Sequence, residues 1–248
     1  MISSQYLSEL RLQRDKIDDA NRYPYNLPLL RNFDRVALHP EVTFLVGENG
    51  SGKSTLLEAI AISLGFNAEG GSKNFNFSTR ASHSDLHTCL RVAKGWRRPR
   101  DGFFLRAESF FNVATAIEEL DAGPGGAGLS AAYGGRSLHE QSHGESFLAL
   151  LTERFRGQGL YLLDEPEAAL SPQRQLAVLS RMHDLIADQS QFIIATHSPI
   201  LLAYPGALIL QCSENGIEPV AYEETEHFLV TRDFLVDPQR MLKVLLER

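Results

Sequence analysis

The chain has 248 residues, 43% of them hydrophobic, with 31 acidic against 24 basic side chains and a formal net charge of -7. That length and apolar content suffice for a sizeable core, and the acidic balance excludes a surface that is basic throughout, so a nucleic acid would have to meet a local patch. The first residues, Met1-Ile2-Ser3-Ser4-Gln5-Tyr6-Leu7-Ser8-Glu9, lack the basic start and apolar run of a signal peptide, and no stretch has the length of a membrane span; a cytoplasmic protein with no span of its own is expected.

Residues 1–40 carry Leu7, Leu10, Leu12 and Ile17 among many charges, then a turn-rich connector, Tyr23-Pro24-Tyr25-Asn26-Leu27-Pro28. A strand is expected around residues 35–38, ahead of Val42-Thr43-Phe44-Leu45-Val46, whose apolar and β-branched run reads as a buried strand. That strand breaks into Gly47-Glu48-Asn49-Gly50-Ser51-Gly52-Lys53-Ser54-Thr55, a full match to G-x-x-x-x-G-K-[ST], and residues 56–62 read as a helix apolar on most faces. The glycines let backbone N–H groups turn inward on phosphate oxygens, and the helix dipole adds positive potential. Lys53 is placed to reach the β- and γ-phosphates, Ser54 to put its hydroxyl on Mg²⁺, and Thr55 to donate to the α-phosphate. Tyr25 and Phe33 lie just upstream, where an aromatic can stack on a base, but core packing is the preferred reading of each.

Residues 65–84 read as loop. Arg91-Val92-Ala93-Lys94-Gly95-Trp96-Arg97-Arg98-Pro99-Arg100 is the dense basic run of the chain and holds its one tryptophan. Clustered Arg91, Lys94, Arg97, Arg98 and Arg100 suit a nucleic-acid backbone, with Trp96 for stacking, although a solvated loop is the commoner use of such a run. Residues 102–107 form an apolar strand that delivers Glu108 to its carboxyl end, as a candidate beside the metal. A helix follows, and then the glycine-rich stretch 121–128 breaks regular structure.

Gln141-Ser142-His143-Gly144-Glu145-Ser146 precedes a strongly apolar helix that includes Phe147, Leu150, Leu151 and Phe155. Ser142 reads either as an ordinary N-cap or as a hydroxyl that the helix start presents to a phosphate, with Gly144 permitting close approach. Residues 159–163 are a wholly apolar strand ending on Asp164-Glu165-Pro166. Adjacent carboxylates at a strand tip serve a metal–phosphate site, Asp164 in the Mg²⁺ shell and Glu165 polarising a water. Ser171-Pro172 opens an amphipathic helix. The apolar strand 191–195 ends on Thr196-His197, residues 207–220 read as a hairpin around Asn215-Gly216, and two short helices close the chain, the last capped by Asp237. Cys89 and Cys212 have no metal spacing and read as small buried side chains.

In that order these segments resemble the ABC ATPase superfamily, on its soluble RecF- and SMC-like side, and a group of bacterial AAA-family or ABC-type ATPases in particular. The resemblance covers about residues 36–210 and implies an α/β fold, a three-layer P-loop NTPase head with a mostly parallel core sheet. One domain spanning residues 1–248 is expected, with a helical insertion at about 110–157. It implies ATP and Mg²⁺ as ligands, Gly47 to Thr55 as the Walker A loop and Ser142 to Ser146 as the signature. Asp164 and Glu165 end Walker B, Glu167 to Ser171 form the D-loop, His197 is the switch histidine, and Glu108 stands where the family has its Q-loop glutamine. Catalysis would then fall to Glu165, His197 and Lys53, and metal binding to Ser54, Asp164 and Glu108. A site shared in an ATP-dependent homodimer is further implied, because in the family the signature of one head closes on the γ-phosphate of the other. Gln141-Ser142-His143-Gly144-Glu145 departs from the transporter signature, and residues 56–141 leave no room for long coiled-coil arms. Two rival readings stand beside hydrolysis coupled to a soluble process: a slow nucleotide-dependent association switch, and the ATPase subunit of a membrane transporter.

Overall fold

The computed structural model describes residues 5–73, 83–107, 115 and 143–247. Among these the strands are β1 (Leu7–Leu12), β2 (Arg35–Ala37), β3 (Val42–Val46), β4 (Leu90–Lys94), β5 (Asp101–Arg106), β6 (Gly159–Asp164), β7 (Gln191–Ala195), β8 (Leu208–Ser213) and β9 (Gly216–Pro219). The helices are α1 (Lys53–Ser63), α2 (His143–Ala149), α3 (Pro172–Ala187), α4 (Pro199–Leu202), α5 (Glu226–Val236) and α6 (Pro238–Leu246). Strands β5-β6-β7-β3-β8-β9 make a six-stranded sheet, parallel except for the β8–β9 hairpin at its edge, while β2-β1-β4 make a separate antiparallel sheet of three.

Every residue of β3, β6 and β7 is buried, which is why these strands read as unbroken apolar runs rather than as alternating ones. One face of the large sheet packs Phe44, Phe103, Tyr161, Phe192 and Ile194 against Phe147 of α2, Met182 and Leu185 of α3 and Leu201 of α4. On the other face Leu45, Phe104, Leu162 and Ile193 meet Leu56, Leu57 and Ile60 of α1, and beyond α1 lie Leu10, Leu12, Val36 and Leu90 of the small sheet. Helix α1 is thus enclosed between two sheets, and an all-round apolar helix is what that position requires. Each fully buried leucine or isoleucine there contributes about 1.5–3 kcal/mol over its exposed state. The layers are those of a three-layer α/β head with a mostly parallel core.

One side chain fastens the small sheet to the large one. Gln191, buried at the start of β7, accepts from the backbone N–H groups of Tyr6 (3.0 Å) and Leu7 (2.9 Å) through Oε1, and donates through Nε2 to the carbonyls of Leu7 and His39 (2.8 Å each). All of its hydrogen-bonding capacity is spent on backbone that would otherwise be buried unpaired.

The strand expected near residues 35–38 is present as β2 and pairs with β1 in the small sheet. The basic run is no simple loop, since Arg91 to Lys94 lie in β4. Strand β1 went unread because a register shift between Leu7 and Glu9 breaks its alternation and leaves a burial order without a clean period of two. The apolar helix of α2 does not run on to Phe155 but widens into a π turn over Leu150–Arg154, after which Phe155 is extended and stacks on Tyr161 with ring centroids 4.2 Å apart. The expected glycine stretch 121–128 and most of the expected insertion lie outside the described residues.

Candidate functional site

Strands β3, β6 and β7 are neighbours in the large sheet and run parallel, so their carboxyl ends share one edge. Ligands in open α/β sheets bind at that edge. The loop after β3 turns so tightly that a Cβ on Gly47 (φ 145°) would sit 2.3 Å from the Cys212 carbonyl oxygen, and one on Gly52 (φ 107°) 2.5 Å from Leu29 Cδ2. Lys53, in the first turn of α1, is buried and its Nζ donates to the carbonyls of Gly47 (2.8 Å) and Glu48 (2.9 Å), folded back over the loop. Burial lowers its pKa from the usual lysine value, while the carboxylates of Glu165, Asp164 and Glu167 pull the other way. Ser51 is buried with its Oγ making no hydrogen bond to the described residues, an orphaned donor inside the loop. Glu48, Asn49 and Gly50 are exposed and line a cavity of about 460 Å³ that extends to Arg31 and Glu214.

Across the edge, β6 ends on buried Asp164, whose Oδ1 accepts from Ser54 Oγ at 3.0 Å. Glu165 follows with a left-handed backbone (φ 51°, ψ 52°), held by its N–H to the Ala195 carbonyl at 2.9 Å. A non-glycine residue there is strained by roughly 1–2 kcal/mol, a cost that persists where the surroundings fix the chain. The left-handed turn sends the chain into a 3-10 turn, Pro166–Ala169, and brings Glu165 Oε1 to 3.7 Å from His197 Nε2. Glu167 turns inward, where its Oε1 accepts the His197 backbone N–H at 2.5 Å; burial raises its pKa against the pull of that donor. His197 Nδ1 lies 2.9 Å from Nε2 of His227 in the first turn of α5. Burial lowers the pKa of both imidazoles, helped at His197 by the Lys53 charge and at His227 by His197.

Lys53, Ser54, Asp164, Glu165 and His197 therefore converge from three strand ends. Glu108 and Ser142 lie outside the described residues. Gly144 is buried in α2 and packs so closely that a Cβ would fall 2.7 Å from the Ala169 carbonyl oxygen and 2.5 Å from Arg174 Nη1, docking this helix on the turn that follows Glu165. Tyr25 and Phe33 are core residues. Tyr23, by contrast, is 58% exposed with its hydroxyl 3.4 Å from Thr55 Oγ1. Neither Tyr23 nor His227 belongs to a motif: Tyr23 is set apart from Tyr25 and Phe33 only by its exposure in the fold, and no local signal exists for His227.

The basic residues divide. Arg97 stacks on Trp96 (5.1 Å to the ring centroid) and donates to Gln189 at 2.6 Å, while Arg91, Lys94, Arg98, Arg100 and Trp96 are exposed. The small sheet adds two more cations by register: Arg11 lies directly opposite Arg35 on one side and Arg91 on the other, all three exposed. Like charges directly opposed across strands are destabilising, and among the described residues Arg11 is the member of this row that forms an ion pair, with Glu9.

A glycine loop after β3 that delivers Lys53 and Ser54 to the acidic tip of β6, one strand beyond β7 in a mostly parallel sheet, defines the P-loop NTPase fold. The model of a family described as an AAA domain matches residues 25–99, and that of a family described as "AAA domain, putative AbiEii toxin, Type IV TA system" matches residues 132–203. Two families described as AAA domains thus match separate stretches of the chain, one holding the glycine loop and the other Asp164, Glu165 and His197. Its fold is shared with MJ1267, an ATP-binding cassette of an ABC transporter, at a TM-score of 0.54 and 16% identity, over 95% of this chain and 97% of that one. The SMC head domain from Thermotoga maritima is also similar, at a TM-score of 0.43 and 16% identity, over 88% of this chain and 100% of that one. No curated protein matches. No helix among the described residues is long and apolar enough to cross a membrane.

Proposed function

We propose that residues 1–248 act as one ATPase domain that binds ATP with Mg²⁺ and hydrolyses it between two copies of the chain. The observation that carries this reading is the approach of Ser54 and Glu165, through Asp164 and His197, to the single edge where Lys53 folds over the loop. The residues fit the ligands: the Ser51 hydroxyl has no hydrogen bond among the described residues, and Ser54 with Asp164 offers the hydroxyl and carboxylate oxygens that Mg²⁺ prefers. Once bound, Mg²⁺ neutralises charge that develops on the phosphoryl oxygens. Lys53 exchanges its two carbonyl acceptors for β- and γ-phosphate oxygens. Glu165 accepts the proton of a water whose oxygen bonds to the γ-phosphorus as the bond to the β-phosphate oxygen breaks, leaving ADP and phosphate. His197, beside Glu165, donates to the reacting phosphoryl group.

Bound this way, the γ-phosphate still presents oxygens outward, and the segment Ser142 to Ser146 of a second copy would supply donors for them. Thr55 and the exposed Tyr23 would hold the α-phosphate and base end. The arginine row of the small sheet favours a partner with a phosphate backbone, and the exposed Lys94, Arg98 and Arg100 follow Arg91 along the chain. We read this as a nucleic-acid contact, separate from the nucleotide edge.

Light scattering and turnover on Glu165→Gln test the core of the proposal. Turnover falls at least about a hundredfold, as expected on removing a positioned base. ATP binding persists, and the protein becomes dimeric with ATP and Mg²⁺ while staying monomeric without them. A mass that stays at one chain sinks the shared site, and undiminished turnover removes Glu165 from the chemistry.

A further inference from the structure

The His197–His227 contact is built from two distant parts of the chain. Two nitrogens at 2.9 Å, Nδ1 of His197 and Nε2 of His227, form one hydrogen bond in which one must donate and the other accept. The rings meet at 55° with centroids 5.0 Å apart, so this is an edge contact and not a stack. His227 is held there rigidly. Thr225, fully buried, caps α5 by accepting from the Phe228 N–H at 3.3 Å and donates to the Tyr222 carbonyl at 2.7 Å. Tyr222 in turn donates its hydroxyl to the Pro199 carbonyl at 3.0 Å, two residues past His197, so the start of α5 is pinned to the very loop that carries the first histidine.

Burial lowers the pKa of both imidazoles and so favours their neutral forms, in which each carries one N–H. If His197 donated from Nδ1, its bare Nε2 lone pair would face the Glu165 carboxylate oxygen at 3.7 Å, an unfavourable encounter of two acceptors. If His227 donates, His197 carries its proton on Nε2, a donor toward that carboxylate; this nitrogen and His227 Nδ1 are both buried with no hydrogen bond among the described residues, so the Glu165 oxygen is what separates the two arrangements. The other charged groups that act on the pair are Glu167, which accepts the His197 backbone N–H, Glu226, which precedes His227, and Lys53. Both rings line a cavity of about 360 Å³ whose opposite wall is Gly47, Glu48 and Asn49.

We propose that His227 is a positioning residue for the reaction: its Nε2–H donates to His197 Nδ1 and holds that imidazole in the Nε2–H tautomer, with the N–H turned toward Glu165 and the phosphate side of the loop. Helix α5 thereby supplies the orientation of a side chain that β7 delivers. The kinetic part of this proposal rests on the ATPase reading above, whereas the tautomer does not.

Long-range ¹H–¹⁵N correlation spectra of the nucleotide-free full chain report the tautomer directly. The expected result is His197 protonated on Nε2 with a bare Nδ1, a pattern lost to a tautomer mixture in His227→Leu and kept in His227→Gln, whose side-chain amide can donate from nearly the same place. In steady-state assays His227→Leu lowers kcat about tenfold or more with KM for ATP little changed, as for other groups that orient a functional imidazole. His227→Gln recovers at least half of that loss, and His227→Leu adds nothing in a His197→Ala background. An Nδ1–H tautomer in the wild-type chain, a His197 spectrum indifferent to His227→Leu, or an equal loss with and without His197 overturns the proposal. A wild-type chain with no turnover overturns the ATPase reading instead, and the spectra still decide the role of His227.

Discussion

Ser54 Oγ and Asp164 Oδ1 stand 3.0 Å apart, joining the first turn of α1 to the tip of β6. The two residues are 110 apart in the chain, and each belongs to a different strand–loop unit. Their contact makes the glycine loop and the acidic strand one site.

The same contact yields a prediction about metal. Asp164→Asn keeps an oxygen that can accept from Ser54 but removes the charge that a divalent cation requires. Mg²⁺-dependent turnover should fall about a hundredfold or more while the thermal midpoint moves little, because the packing around β6 is unchanged. Titrating Mg²⁺ against initial rate in the variant is the check, and a wild-type Mg²⁺ profile would take Asp164 out of the metal shell.

The left-handed backbone of Glu165 (φ 51°) predicts that stability and activity separate at this position. Glu165→Gly relieves the strain and should raise unfolding stability by about 0.5–1 kcal/mol after allowing for the greater freedom of glycine in the unfolded chain. Hydrolysis is lost at the same time. Urea unfolding of the two proteins measures the difference, and a less stable glycine variant would show that the Glu165 side chain contributes more to the fold than its backbone costs.

Acid should weaken the nucleotide-free fold through the histidine pair. The folded pKa values of His197 and His227 lie below the usual value, so between those values and about 6.5 the unfolded chain binds more protons. The contribution of the pair is therefore complete above about pH 6.5 and is lost as pH falls through the folded values. Glu167 acts in the opposite sense lower down, since its raised pKa favours the fold below the ordinary glutamate value and that advantage fades as pH rises. Denaturant midpoints between pH 5 and 7.5 should fall on acidification in the wild-type chain and flatten in the His197→Gln, His227→Gln double variant. Equal slopes in the two proteins would remove the pair as their source.

Replacing Arg11, Arg35 and Arg91 together by glutamate should abolish binding of a fluorescent duplex oligonucleotide, and the wild-type affinity should fall steeply with salt, each phosphate contact contributing about one unit of the log–log slope. Fluorescence anisotropy in about 50 mM salt with ATP present is sufficient, since weak phosphate contacts are strongest there. No binding by the wild-type chain under those conditions retires the nucleic-acid contact.

What the sequence determined by itself is the part of the molecule written in short-range chemistry. The glycine loop, the apolar runs of β3, β6 and β7 and the Ser171 and Asp237 caps need only neighbours a few residues away, and burial on both faces leaves a strand no choice but to be apolar throughout. The polar residues just past those runs, Lys53, Asp164, Glu165 and His197, announce themselves because each interrupts an otherwise hydrophobic pattern. Tertiary structure decided whatever depends on register and on pairing between distant segments. Arg35, Arg11 and Arg91 form a row only because three strands align in one register, and no local signal fixes a register. Gln191 is an unremarkable polar residue in sequence, yet its hydrogen bonds to backbone near residues 6, 7 and 39 fasten one sheet to the other. His227 is likewise silent until the fold lays the start of α5 against the end of β7, because a hydrogen bond between side chains thirty residues apart is set by packing and not by spacing along the chain.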